Sequence, residues 1–381
     1  MRLQFDTSKT YGIVLEGGGA KGAYQIGVWK ALREAGVRIR GIAGSSVGAL
    51  NGALMCTDDL EKAEYLWQNI SYSKVMDVQE IPVELLQDWR SVDLKEALTS
   101  LVGILKDGGI DIAPLRRLIA ESVDEKKIRE AERELYVTTF SVDERKQLVV
   151  DVKALPEHKI EDALLASAYF LAFKNEKLGG KRYVDGGILN NVPLDILVEK
   201  GYQDIIVIRI YGMGIDTAKW VDIPDGVTVY EIAPRQNLGG MLDFNRKRAV
   251  RNMKLGYMDA QRFLYGLYGR SYYFDAPQSE AYYFDKMMSE LELVKSSLMP
   301  FLEEEEQKSL SGYRAFTEEI FPAMAVKLKL DEGWDYKDLY VAVLEKWAKE
   351  LRLPRMHIYT PDEVVQKVHI HLRKLDSFPL V

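Results

Sequence analysis

Residues 41–53 read GIAGSSVGALNGA, a stretch that leaves the chain little conformational choice. The apolar run at 37–43 reads as a strand and residues 47–55 as a compact buried helix. Between them, Gly44-Ser45-Ser46-Val47-Gly48 fits G-x-S-x-G with Ser46 at its centre. A strand that turns this sharply into a helix strains the central residue and presents its side chain above the sheet. Gly44 and Gly48 remove the Cβ clashes such a turn would create. Ser45 is then part of the bend, and Ser46 is the candidate nucleophile.

The surrounding pattern, from about residue 10 to 210, alternates short apolar runs with helical segments, as an α/β sheet requires. YGIVLEGGG (11–19) reads as a buried strand ending in glycines, and AYQIGVWKALREAG (23–36) as a helix stopped by Gly36. Residues 134–142 and 146–152 read as paired strands around Asp143-Glu144. Residues 181–187 look like a strand end, and 204–210 like a central parallel strand. VPLDILVEKG (192–201) reads as a helix with Asn191 as N-cap and Pro193 at its first position.

GGGAKG (17–22) satisfies G-x-G-x-x-G through Gly17, Gly19 and Gly22, after a strand and before a helix. That is the context of a dinucleotide site. However, the second strand ends in Gly44-Ser45-Ser46, where a ribose-binding carboxylate is expected. Ala23 also stands where a phosphate-binding loop needs Lys-Ser/Thr. The favoured reading is an oxyanion hole: Gly17, Gly18 and Gly19 let backbone N–H groups converge, and the next helix adds its positive end.

A serine nucleophile needs a base. Only four histidines are present, His158, His357, His369 and His371. The first lies in a polar stretch and the others in the last 25 residues of the chain. A carboxylate within hydrogen-bond reach serves instead. Asp185 is the natural choice, since Gly186 and Gly187 leave it uncrowded, although Asp-Gly-Gly reads equally well as a turn.

GGGAKG, GSSVG and DGG, in this order, resemble the patatin-like phospholipase family over about residues 10–265. GGIDIAPLRRLI (108–119) and LGGMLDFNRKRAVRNMKLGYMDA (238–260) are similar to further family segments. The resemblance implies a three-layer α/β/α fold and a Ser46–Asp185 dyad, with oxyanion donors at Gly17, Gly18 and Gly19. It places Lys21 at the family's Arg/Lys position. One segment departs from the pattern: in ASAYFLAF (166–173), Leu171 stands where the family has proline. The implied activity is lipid acyl hydrolysis of the phospholipase A or lysophospholipase type, with no metal or cofactor. Hydrolysis of soluble esters or thioesters, or lipid binding without catalysis, are the alternatives.

With 381 residues and a net charge of −7, the chain is unsuited to the phosphate backbone of nucleic acid. The single cysteine, Cys56, excludes an intrachain disulfide framework. No apolar run approaches the roughly 18–20 residues that span a bilayer, and the N-terminus carries no signal-type core. The expectation is a cytoplasmic protein with a lipid or acyl-ester substrate and transient contact with a membrane surface. The expected division is an acyl hydrolase domain at 8–270 and a mainly helical extension at 271–381 packed on it. Val365, Val368, Leu372 and Leu375 form an apolar stripe in that extension. The aromatic stretch 265–285 is read as packing between the two parts. Residues 100–110 are read as helix core, with the capping of an acyl channel as the alternative. Glu303–Glu306 is read as a solvated helix face.

Overall fold

The computed structural model describes residues 1–76, 110–169, 173, 177–178, 180–212, 214–290, 293 and 316–376. The sequence readings at 100–109, Leu171 and Glu303–Glu306 lie outside them. The chain divides into two compact units, Phe5–Leu264 and Met1–Gln4 with Tyr265–Val381.

The first unit is built on a seven-stranded mixed sheet. Its strands are β1 (Thr10–Leu15), β2 (Arg38–Ser45), β3 (Glu134–Ser141), β4 (Lys146–Asp151), β5 (Tyr183–Asp185), β6 (Asp204–Ile208) and β7 (Thr228–Ile232). The order is β4-β3-β2-β1-β6-β7, with β5 paired to β3. β1, β2, β3, β6 and β7 run parallel, while β4 and β5 are antiparallel to β3. Central strands β1 and β6 are near-continuous apolar runs because both their faces are covered. Edge strand β4 carries Lys146 and Asp151 to solvent, which discourages further pairing.

Helices cover both faces. These are α1 (Ala23–Glu34), α2 (Val47–Cys56), α3 (Leu60–Gln68), α4 (Tyr72–Val75), α5 (Ala113–Ser122), α6 (Glu125–Glu130), α7 (Ile160–Ser167), α8 (Leu194–Glu199) and α9 (Arg246–Tyr265). Alternation along the strands assigns the faces. Leu15, Ile42 and Leu135 meet α2 at Gly52, whereas Val14, Ala43, Tyr136, Ile205 and Val207 pack with Leu194, Ile196 and Leu197 of α8. The result is a three-layer α/β/α fold. One local reading is corrected: α8 begins at Leu194 with Pro193 in the cap position. Asn191 does not cap it, because its side chain is engaged at Glu16 and Gly17.

The second unit is mainly helical, with α10 (Glu280–Ser289), α11 (Phe321–Lys327), α12 (Tyr336–Glu350) and α13 (Pro361–Asp376). A two-stranded parallel ladder joins β8 (Tyr273–Phe274) to β9 (Ile358–Tyr359). The aromatic stretch supplies this unit's own core: Tyr272, Phe274 and Tyr283 are buried there beside Phe321, Tyr340 and Trp347. Val365 and Val368 of the α13 stripe belong to the same core. Among the described residues, no helix is long and apolar enough to cross a membrane.

Candidate active site

Strand register brings the two halves of the site together. β2 lies parallel to β3, and its last pair is Ser45 with Thr138. β5 approaches from the opposite direction, and its pair nearest that point is Asp185 with Thr139. Since β4 occupies the other side of β3 from Tyr136 to Ser141, β2 and β5 meet end to end along one side. The residue after Ser45 therefore faces Asp185.

Ser46 sits at φ 53°, ψ −123° as the N-cap residue of α2. This is a strained position for a residue with a Cβ, of the kind that costs about 1–3 kcal/mol. A Cβ on Gly44 would overlap the Gly48 carbonyl, and one on Gly48 would overlap the Leu15 carbonyl. The two flanking glycines thus let the turn and the start of α2 close down on β1. The Ser46 hydroxyl donates to the Asp185 carboxylate, and the Gly187 N–H donates to Asp185 Oδ1 at 2.8 Å. Burial pushes the Asp185 pKa up to about 6, against the opposing effect of those two hydrogen bonds. A carboxylate of raised basicity bonded to a serine hydroxyl can take its proton. Ser45 differs: its Oγ is buried and has no hydrogen-bond partner among the described residues. Gly186 packs on the Thr138 carbonyl and Gly187 against Asn191 Oδ1, so the turn after Asp185 has no room for side chains.

The end of α7 ties both residues in place. The Ser46 N–H donates to Ser167 Oγ at 3.1 Å, and the Asp185 N–H donates to the Tyr169 carbonyl at 2.8 Å. Thr139 Oγ1 donates to the Ala166 carbonyl at 2.9 Å, anchoring the segment to β3. The sequence marks Ala166-Ser167 as a family-like pair, but it carries no sign that this serine reaches the Ser46 turn.

The glycine turn approaches from β1, and its three N–H groups are not equivalent. The Gly17 N–H donates to the Asn191 carbonyl at 3.2 Å, while Asn191 Nδ2 donates to the Gly17 carbonyl at 3.1 Å. Gly17 is therefore a clamped hinge and has no free donor to offer. Gly18 is extended at φ 165°, and Gly19 takes the left-handed conformation at φ 55°. Among the described residues no acceptor meets the N–H of either one. The Ala20 N–H is spent on the Met241 carbonyl at 2.7 Å. Lys21 is buried, and its Nζ donates to the Tyr211 carbonyl at 2.8 Å, so it braces the turn from behind.

Gly19, Ser46 and Asp185 open into one cavity of about 120 Å³. Its walls are apolar, with Leu50 and Leu54 from α2, Trp67 from α3, Leu115 and Ile119 from α5, and Phe244. Asn51 also lines it, but its amide is satisfied by Gly22 O, Gln25 Oε1 and Trp67 Nε1. None of the four histidines lines this cavity. Met241, Leu242 and Phe244 also wall it; they lie in the family-like segment 238–260, but nothing in that segment marks these side chains as lining a cavity.

Residues 13–198 match the model of a known family, patatin-like phospholipase. That segment of the chain belongs to the patatin-like phospholipase family. Over 52 residues, 14% of this chain, it is 52% identical to the neuropathy target esterase sws of Drosophila sechellia and to that of Drosophila persimilis. The match spans 4% of the length of each of these relatives. Among solved structures, VipD from Legionella pneumophila aligns at 14% identity and a TM-score of 0.41, over 96% of this chain and 87% of its own. Full-length ExoU from Pseudomonas aeruginosa, solved with SpcU, aligns at 15% identity and a TM-score of 0.34, over 90% and 78%.

Proposed function

We propose that the protein is a lipid acyl hydrolase of the phospholipase A or lysophospholipase type, with Ser46 as nucleophile and Asp185 as base. The observation that carries this reading is the Ser46 hydroxyl donating to Asp185 where both open into an apolar cavity. Asp185 takes the Oγ proton as Ser46 attacks the ester carbonyl carbon. The carbonyl oxygen becomes the oxyanion and is received by the N–H groups of Gly18 and Gly19, aided by the positive end of α2. Collapse expels the alcohol, which leaves with the proton from Asp185, and the acyl group stays on Ser46. Water then attacks this ester with Asp185 again as base, releasing the fatty acid and restoring the hydroxyl. The apolar walls suit an acyl chain, while the hydrogen-bonding groups sit at the end where the ester must lie. Transient contact with a membrane surface follows from a substrate that resides in one.

Fluorophosphonate labelling tests the assignment, with hydrolysis of long-chain phospholipid vesicles compared against short soluble esters. Ser46→Ala is expected to lose labelling and turnover, Asp185→Asn to label slowly, and Ser45→Ala to remain reactive. Full labelling of the Ser46→Ala protein would overturn the nucleophile, and hydrolysis confined to short soluble esters would overturn the lipid substrate.

A further inference from the structure

Glu16 precedes the glycine turn and is buried at 2% exposure. Its Oε2 accepts the N–H groups of Ile210 at 2.7 Å and Tyr211 at 2.9 Å, and forms an ion pair with Arg209 Nε at 3.2 Å. Its Oε1 accepts the Gly212 N–H at 3.2 Å and Asn191 Nδ2 at 3.3 Å. Burial raises the Glu16 pKa against the pull of Arg209 and three backbone donors. Every polar atom in contact with it is a donor, so the ionised carboxylate is the form that satisfies them all. Arg209 is closed on its other side by Asp216, through Nη1–Oδ1 at 3.1 Å and Nη2–Oδ2 at 2.7 Å.

These bonds have a definite mechanical effect. They pin residues 210–212 against the back of the glycine turn, where Gly212 presses on the Gly17 carbonyl and Gly18 on Ile210. The same carboxylate holds Asn191, which clamps Gly17 on both sides and abuts Gly187 beside Asp185. Lys21, two residues beyond Gly19, is tied to the carbonyl of Tyr211 in the pinned segment. The turn is thus held at Gly17 and Lys21, with Gly18 and Gly19 suspended between. A buried carboxylate is expensive where apolar packing would serve, unless direction matters. Here it fixes four hydrogen-bond donors and the Arg209 guanidinium at once.

We propose that Glu16 is a positioning residue that presets the Gly18 and Gly19 N–H groups for the oxyanion, so its contribution appears in the transition state and not in substrate affinity. The inference rests on the Ser46–Asp185 reading above. Its test is Glu16→Gln, nearly the same in shape, whose NH₂ must face donors on one side or the other. The assays are steady-state hydrolysis of a soluble oxo-ester, the rate on the matching thionoester, and thermal unfolding. A thionoester places a weaker acceptor on a longer bond in the oxyanion site, so the oxo-to-thiono rate ratio reports how well that site is formed.

For a folded Glu16→Gln protein, kcat is expected to fall about 10- to 100-fold, below the effect of deleting an oxyanion donor outright. KM is expected to stay within about twofold, and the oxo-to-thiono ratio to fall about fivefold or more. Wild-type kcat and ratio in that protein, or a loss confined to KM, would overturn the proposal. If Glu16→Gln does not fold, Asp216→Asn loosens only the outer clamp on Arg209 and is expected to lower the ratio about twofold. An unchanged ratio there overturns it equally. An inactive, unlabelled wild-type protein would instead sink the dyad reading, which separates the two failures.

Discussion

Replacing Asp185 by Asn is expected to abolish turnover and, near neutral pH, to make the fold more stable. The carboxylate is half-buried beside apolar walls with two hydrogen bonds, and burial holds its pKa near 6 against an ordinary 3.8. In the window between those values the folded protein binds a proton that the unfolded chain does not, so wild-type stability falls as pH rises through it. Above about pH 6 the full penalty is present, and below about pH 4 it is absent. Fully expressed, the difference is worth about 3 kcal/mol. Screening through the open side of the cavity reduces the expected value to about 1–3 kcal/mol.

Asparagine preserves the local bonding, because its Oδ1 still accepts the Gly187 N–H and its Nδ2 can donate to Ser46 Oγ. The stabilisation of Asp185→Asn should therefore be near zero at pH 4 and reach its plateau above pH 6. Urea denaturation of both proteins at pH 4.5 and pH 7.5 reads this as a shift in midpoint at constant slope. An Asn variant no more stable than wild type at pH 7.5, or a gain that does not change with pH, would refute the argument that a charge only partly compensated for its burial is maintained for chemistry.

The same carboxylate sets the acid limb of the rate profile. kcat/KM should fall tenfold per pH unit below about pH 6, as proton uptake removes the base; a limb centred near 4 would contradict that. Ser167→Ala removes the acceptor of the Ser46 N–H and should lower kcat about tenfold with KM little changed, for about 1.4 kcal/mol of lost positioning. Wild-type kcat in this variant would show the contact to be dispensable. Ile119→Trp fills the cavity wall and should cut hydrolysis of long-chain esters about tenfold or more while acetyl esters stay within about threefold. Equal losses on both would mean the acyl chain lies elsewhere.

How far the sequence discloses this site depends on whether each feature is local. The strand-to-helix turn at Ser46 is legible because glycines at fixed offsets leave few other conformations, and the parallel core strands because β-branched runs such as Ile205–Ile208 admit few other environments. What was illegible is set by crossings of the chain. GGG shows three donors, yet Gly17 loses its own to a carbonyl more than 170 residues away. Asn191-Val192-Pro193 looks like a helix cap, but the asparagine has a stronger engagement with Glu16 and Gly17. Glu16 itself reads as a strand-end polar residue until the segment after β6 is laid against it.

In the proposed dyad, Asp185 takes the place of a histidine, and its position in the sheet explains how. In sequence, Asp-Gly-Gly is equally a turn and a catalytic motif, and it is the ladder on β3 that brings this one to Ser46. Thr138 and Thr139 are adjacent, and they take partners from two strands running in opposite senses. One strand must end and the other begin at that point, so the residues flanking the junction are held at side-chain range by backbone hydrogen bonds. A dyad set by a ladder needs no third group to orient its base, because Asp185 has few rotamers and its N–H is fixed to Tyr169. An imidazole, longer and freer about its bonds, needs an orienting partner for the same precision. The short carboxylate instead requires the nucleophile to be brought close, and the meeting of β2 and β5 does that.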